Sequence, residues 1–357
     1  MDISRARNRL GLAAALAIAC LAGGCSTVGY YMQAIGGQME LMRKARPIRE
    51  LLADPSTDAE LKRRLERVVQ IRNFASTALH LPDNESYRRY ADIKRPYVVW
   101  NVFATPELSV QPKEWCFPFA GCVGYKGYFA DVDAQRLAAE LRAQGYDVYT
   151  GGVPAYSTLG WFKDPVLNTF IRYPESEIAR LIFHELAHQV AYAKGDTTFN
   201  ESFAVAEEEA GVQRWLAAHG TAEQKAAFDR AQIHRIGFMD IVARYRERLA
   251  QVYAQPVDAA EKRAQKAQAF AQMRADYQTL KQSWDGFAGY DAWFGQPLNN
   301  AQLASVAIYT QLVPAFQALL REQDNDLPRF YAEVKRLAGL SQAERGAAMQ
   351  RLPAPMR

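Results

Sequence analysis

One stretch restricts this chain more than any other: Ile178-Ala179-Arg180-Leu181-Ile182-Phe183-His184-Glu185-Leu186-Ala187-His188-Gln189-Val190. On an α-helix, residues four apart share a face, so His184 and His188 offer two imidazoles to one point. Glu185 lies about 100° around and is placed to hold a water there. Ile178, Ile182, Leu186 and Val190 form the opposite stripe, which is expected to bury the helix against a sheet and leave the histidines facing a cleft. The chain has only five histidines, so a chance His-Glu-x-x-His is expected in on the order of one in several hundred such sequences.

A zinc site with two histidines takes a third protein ligand and leaves the fourth position for water. Lys194-Gly195-Asp196 interrupts the motif helix, Thr197-Thr198-Phe199 reads as extended, and Asn200-Glu201-Ser202-Phe203-Ala204 opens another helix. A glycine-containing reversal lets this second helix pack back beside the first. That makes Glu201 the expected third ligand of one Zn2+ ion, with Asn200 supporting it. Twelve residues separate His188 from Glu201, a tight return, so Glu207, Glu208 and Glu209 compete for the position. Glu208 lies seven residues beyond Glu201 on much the same helical face, where it is also suited to orient a ligand.

The pair His184-Glu185-Leu186-Ala187-His188 and Asn200-Glu201-Ser202-Phe203-Ala204 resembles the gluzincin metallopeptidases, in which the Glu of an Asn-Glu-x-x-Ala segment is the third ligand. From Val153 to Trp215 the chain also resembles a family of bacterial lipoproteins classed as aminopeptidases. The likeness extends to Asn299-Asn300-Ala301 and Tyr309. It implies an α+β fold, with a zincin-like core around a small sheet followed by a mostly helical C-terminal half. It also implies zinc-dependent hydrolysis of a peptide or protein substrate, in which Glu185 is the general base. Tyr309 is the expected second donor to the oxyanion. Tyr156, Ser157 and Thr158 are expected to pair with an extended peptide, and Asn299 and Asn300 to contact it as well. One departure concerns the substrate amine, because Gly151 to Gly160 holds no Asp or Glu to receive it.

The N-terminus reads as an address. Arg5, Arg7 and Arg9 precede an apolar run from Leu10 to Ala22 that is short for a membrane span. Leu21-Ala22-Gly23-Gly24-Cys25-Ser26 resembles a bacterial lipobox, so Cys25 is expected to be lipidated and to begin the mature chain. The protein is then expected in the cell envelope, facing the periplasm, held to a membrane through Cys25 and, given Ser26, to the outer membrane. Only Cys116 and Cys122 remain beyond that point, in a short loop with Pro118 and Gly121, and an oxidising compartment allows a disulfide between them.

Four segments follow: a signal peptide (1–24), a tether and first helix (25–50), the catalytic core (51–220) and a helical region packed on it (221–357). In detail, Asp54 and Pro55 are expected to start a helix running to about Leu79, and a short helix is expected from Asn84 to Asp92. Tyr97 to Phe103, Val123 to Phe129 and Tyr146 to Tyr149 read as strands around a helix from Ala134 to Gln144 capped by Asp131. Helices are expected at 200–218, 222–253, 258–284, 300–321, 327–338 and 341–351. With 49% apolar and 23% charged residues the chain is a folded globular protein, and a net charge of +4 without Lys/Arg runs interleaved with aromatics gives no nucleic-acid surface. The competing reading is an envelope lipoprotein acting as a helical binding scaffold with a structural or silent metal site. It leaves the charge of Glu185 beside a metal without a purpose.

Overall fold

The structure, a computed structural model, describes residues 29–117 and 121–352. The signal segment and Cys25 lie outside the described residues. Helix α1 (29–44) leads through β1 (Arg46–Pro47) into α2 (Ile48–Ala53) and α3 (Ala59–Thr77), then β2 (Arg89–Ala91), β3 (Val99–Pro106), β4 (Trp115–Phe117), β5 (Gly121–Val123) and β6 (Lys126–Tyr128). Next come α4 (Asp131–Ala143), β7 (Tyr146–Val153), β8 (Val166–Leu167), the motif helix α5 (Glu175–Ala187) and α6 (Thr197–His219). The remainder is helical: α7 (Ala222–Ala254), α8 (Ala259–Ser283), α9 (Asp291–Phe294), α10 (Asn300–Thr310), α11 (Val313–Glu322), α12 (Leu327–Ala338) and α13 (Gln342–Arg351). The class is α+β, with small sheets and a mostly helical C-terminal half.

Strands β6, β3 and β7 form an antiparallel sheet with β3 in the middle, and β1, β2 and β8 form a second small sheet. Cys116 and Cys122 face each other across the β4–β5 hairpin and are disulfide-bonded. The largest apolar core joins Val68 of α3, Ile182 of α5, Phe203 of α6, Phe316 of α11 and Phe330 of α12. The last three helices therefore share a core with the motif helix. A separate cluster, with Leu249, Phe270, Met273 and Tyr277, closes the α7–α8 hairpin.

Several elements differ from the sequence reading, some for a local reason and some because a residue elsewhere in the chain holds them. Asp54 does not open a helix: it closes α2, and its carboxylate accepts from the Ser56 backbone N at 2.9 Å and hydroxyl at 2.6 Å, forming a turn. Asp58 instead caps α3, accepting from Leu61 N at 2.9 Å. No helix forms from Asn84 to Asp92, where β2 lies. There the buried Arg72 guanidinium takes the carbonyls of Pro82, Asn84 and Ser86, so these oxygens are spent on a side chain. The tether expected at the start of the 25–50 segment gives way to helix from residue 29. This helix is held by Tyr30 stacked on Phe117 and by Gln33, which accepts from Phe129 N at 3.1 Å. The expected helix 300–321 is two, broken at Gln311 and Leu312 ahead of Pro314. Helix α4 starts at Asp131 itself, placing that acid in the first turn rather than at the cap.

Candidate metal centre and its cleft

Helix α5 buries its apolar side chiefly against α6 and α3, so helices take the place of the expected sheet. Gly195, at φ +79°, turns the chain after α5, and Asp196 caps α6 by accepting from Phe199 N at 3.0 Å. That cap makes Thr197-Thr198-Phe199 the first turn of a helix rather than an extended segment. Asn200 locks the return: its Oδ1 accepts from Ala193 N at 2.7 Å and its Nδ2 donates to Ala193 O at 2.9 Å. The disulfide hairpin leans on the same reversal, since a Cβ at Gly121 would stand 2.5 Å from the Gly195 backbone nitrogen. Gly124 N also reaches Thr197 Oγ1, at 3.4 Å.

This return carries Glu201 across to the histidines. Its Oε2 lies 3.3 Å from His184 Nε2 and 3.5 Å from His188 Nε2, and the three candidate donor atoms fall within 4.8 Å of one another. The imidazole rings are 4.9 Å apart and nearly perpendicular, so their nitrogens converge. All three residues are buried. Glu208 is not in the group. Its Oε2 instead meets His184 Nδ1 at 2.8 Å, which fixes the ring and leaves Nε2 for Glu201. Tyr125 donates its hydroxyl to Glu201 Oε1 at 3.2 Å.

The electrostatics of the group are those of a hole shaped for a cation. Burial alone disfavours the charged forms, yet Glu201 and Glu208 outweigh it and carry His184 up to about 10. Burial would likewise raise Glu201, but His188 and His184 hold it at about 2. Two imidazoles and a carboxylate, with one imidazole already oriented from behind, are a donor set that fits a metal ion and leaves a position open. Glu185 stands apart from them with no hydrogen-bond partner among the described residues. Burial raises its carboxyl, the two imidazoles lower it, and Glu201 and Glu208 raise it again.

His184, Glu185, His188 and Glu201 all open onto a cleft of about 550 Å3. Tyr309 also lines it, half-buried, with its ring centroid 6.4 Å from that of His184, and so do Tyr156 and Ser157. Thr158 does not line it. Its backbone N and hydroxyl both donate to the buried Asp164, at 2.9 and 2.8 Å. Asn299 and Asn300 also stand outside: Asn299 caps α10 and donates to Val148 O at 3.2 Å, while Asn300 donates to Glu107 O at 2.8 Å and accepts from the Tyr253 hydroxyl at 2.9 Å. Among the lining residues that went unrecognised in the sequence are Tyr30, Tyr125, Arg180 and Arg235. Arg180 lies one turn before His184, a usable signal. The others are brought in by distant elements and carry none.

Compared with known proteins, residues 29–349 match the family described as "Putative aminopeptidase". The chain belongs to this family. No curated protein matches it, and no solved structure does. The family description points to peptide hydrolysis, and the matched span includes every residue of the candidate metal centre.

Proposed function

We propose that this member of the family is a zinc peptidase of the gluzincin type that removes N-terminal residues from peptides. The observation that carries the reading is the convergence of His184, His188 and Glu201 beside an unbonded Glu185 in one cleft. Two imidazoles and a carboxylate suit zinc better than magnesium or calcium, which take oxygen donors. When bound, zinc supplies Lewis-acid polarisation of the scissile carbonyl and of water.

The chain's own residues do the rest. Glu185 takes the proton from the attacking water on its carboxylate and returns it to the leaving amine nitrogen, a task suited to a carboxyl raised by burial. Tyr309 donates a hydrogen bond to the developing oxyanion. Glu208 keeps the His184 ring in place, and Tyr125 holds the second oxygen of Glu201. Tyr156 and Ser157, just beyond the end of β7, lie where an extended peptide enters. Cys25 is proposed as a lipid anchor holding the protein in the envelope; mass spectrometry of the mature N-terminus should find a diacylglyceryl Cys25.

The deciding experiment pairs metal analysis with hydrolysis of a peptide library by wild type, Glu185→Gln and His188→Ala. Wild type and Glu185→Gln should carry about one zinc per chain, His188→Ala should lose it, and only wild type should cleave peptides. Unchanged cleavage by Glu185→Gln would sink the reading and favour a scaffold role.

A further inference from the structure

Two cations in the cleft have no part in the chemistry described so far. Arg180 of α5 and Arg235 of α7 both line it. Both reach the same oxygen of Glu208: Arg180 Nη1 lies 3.3 Å and Arg235 Nη2 3.0 Å from Oε1. Glu208 is fully buried and its other oxygen meets His184, so the two guanidiniums are fixed relative to the ligand ring. Arg180 Nε donates to Glu177 at 2.8 Å, and Arg235 Nη1 stands 3.9 Å from Glu209. Among the described residues, Arg180 Nη2 and Arg235 Nε have no hydrogen-bond partner.

The acids of the cleft offer no matching site for an ammonium group. The described lining includes three of them: Glu185, Glu201 and Glu208. Glu201 is committed to the histidines, Glu208 to His184 and the arginines, and Glu185 to the water proton. What the cleft still offers a substrate is the unpaired nitrogens of two planar, permanently charged donors, the groups that recognise carboxylates in two-pronged fashion.

Building on the peptidase reading, we propose that Arg180 and Arg235 form a subsite for the C-terminal carboxylate of a short peptide, so that the preferred substrates are tri- and tetrapeptides. One carboxylate and one imidazole ring separate the guanidiniums from the nitrogen that faces the metal position. An extended residue spans about 3.3–3.6 Å, and the two hydrogen bonds along this path, 2.8 and 3.0 Å, already exceed one such span, so the carboxylate has to lie two or three residues beyond the scissile bond. The cleft volume of about 550 Å3 lies within the range of small-molecule sites, roughly 300–1,000 Å3, and a long peptide has to leave it. Recognition of the far end of a short substrate also accounts for N-terminal cleavage without a dedicated acid for the amine.

The test uses the zinc-loaded full chain and a set of tri- and tetrapeptides made with a free carboxylate or as the carboxamide. For wild type, amidation should lower kcat/KM at least tenfold, mostly through KM. In Arg235→Gln the acid and the amide should be cleaved with similar efficiency, and Arg235→Lys should restore most of the preference. An arginine that merely props up Glu208 would lower both substrates equally, and an unchanged acid-to-amide ratio in Arg235→Gln overturns the proposal, as does a wild type indifferent to amidation. If no peptide is cleaved, the peptidase reading fails separately. Calorimetric binding of the same acid and amide pair to wild type and Arg235→Gln then decides the subsite, because equal affinities for the two forms would overturn it.

Discussion

Helices α5 and α6 bury a run of acids and histidines, whereas the α7–α8 hairpin leaves its own acids and bases exposed or half-buried. Between them α5 and α6 enclose His184, Glu185, His188, Glu201, Glu207, Glu208 and Glu209. The hairpin buries Leu249, Phe270, Met273 and the ring of Tyr277, while its lysines and arginines lie outside this cluster. The difference teaches what each kind of core demands. The hairpin needs apolar volume at helical spacing and tolerates any soluble residue elsewhere. The α5–α6 pair tolerates its charges only because most of them meet a partner, so its residues are specified as a set.

The comparison breaks most visibly at Glu185. Glu185→Gln should lower peptide hydrolysis by about 10²–10⁴-fold while zinc content and unfolding midpoint stay those of wild type. A matching loss of stability would mean that Glu185 belongs to the packing rather than to the chemistry. Met273→Ala tests the other region: it removes a fully buried side chain and should cost about 2–5 kcal/mol in denaturant unfolding. Zinc content and kcat below the transition should be unaffected, since the hairpin has its own core.

A pH series sharpens the contrast within α6. Glu207 is fully buried, the nearby Tyr331 hydroxyl donates to Leu79 O at 2.9 Å, and burial outweighs the lowering by Tyr331 and Arg214 to push the carboxyl up to about 8. The folded state therefore holds this proton more tightly than the unfolded chain does. Its contribution to stability is fully present below about pH 4.5 and is lost as pH rises through 8, at most a few kcal/mol. Urea midpoints at pH 5, 7 and 9 should fall for wild type and fall less for Glu207→Gln; parallel curves would show that Glu207 has a partner. The smallest effect is expected at Arg263, whose exposed guanidinium pairs with Glu107 at 2.8 Å. Arg263→Gln should leave the unfolding midpoint unchanged within error.

Much of this site was legible beforehand because helical spacing is rigid. Positions 184 and 188 share a face on any helix, and the breaker at Gly195 announces the return that brings Glu201 over. Apart from the break at Gln311 and Leu312, the helical bounds after 200 were readable for the same reason: caps such as Asp258 and Thr221 act on their own first turns. Two of the failures were segments held from elsewhere in the chain. The stretch from Asn84 to Asp92 follows the carbonyls taken by Arg72, and helix α1 depends on Phe117 and Phe129, far along the chain.

The sequence by itself determined the motif helix, its two imidazoles, the neighbouring acid and the place of the turn, because these follow from a fixed rise and rotation per residue. Only the tertiary structure decided that Glu201 faces both rings and Glu208 only the back of one, since that choice depends on how α6 is seated by Asn200, Gly195 and the disulfide hairpin. It alone also brought Tyr125 and Arg235 to the cleft beside Arg180, because contacts between distant elements are set by packing and charge balance, which no local pattern encodes.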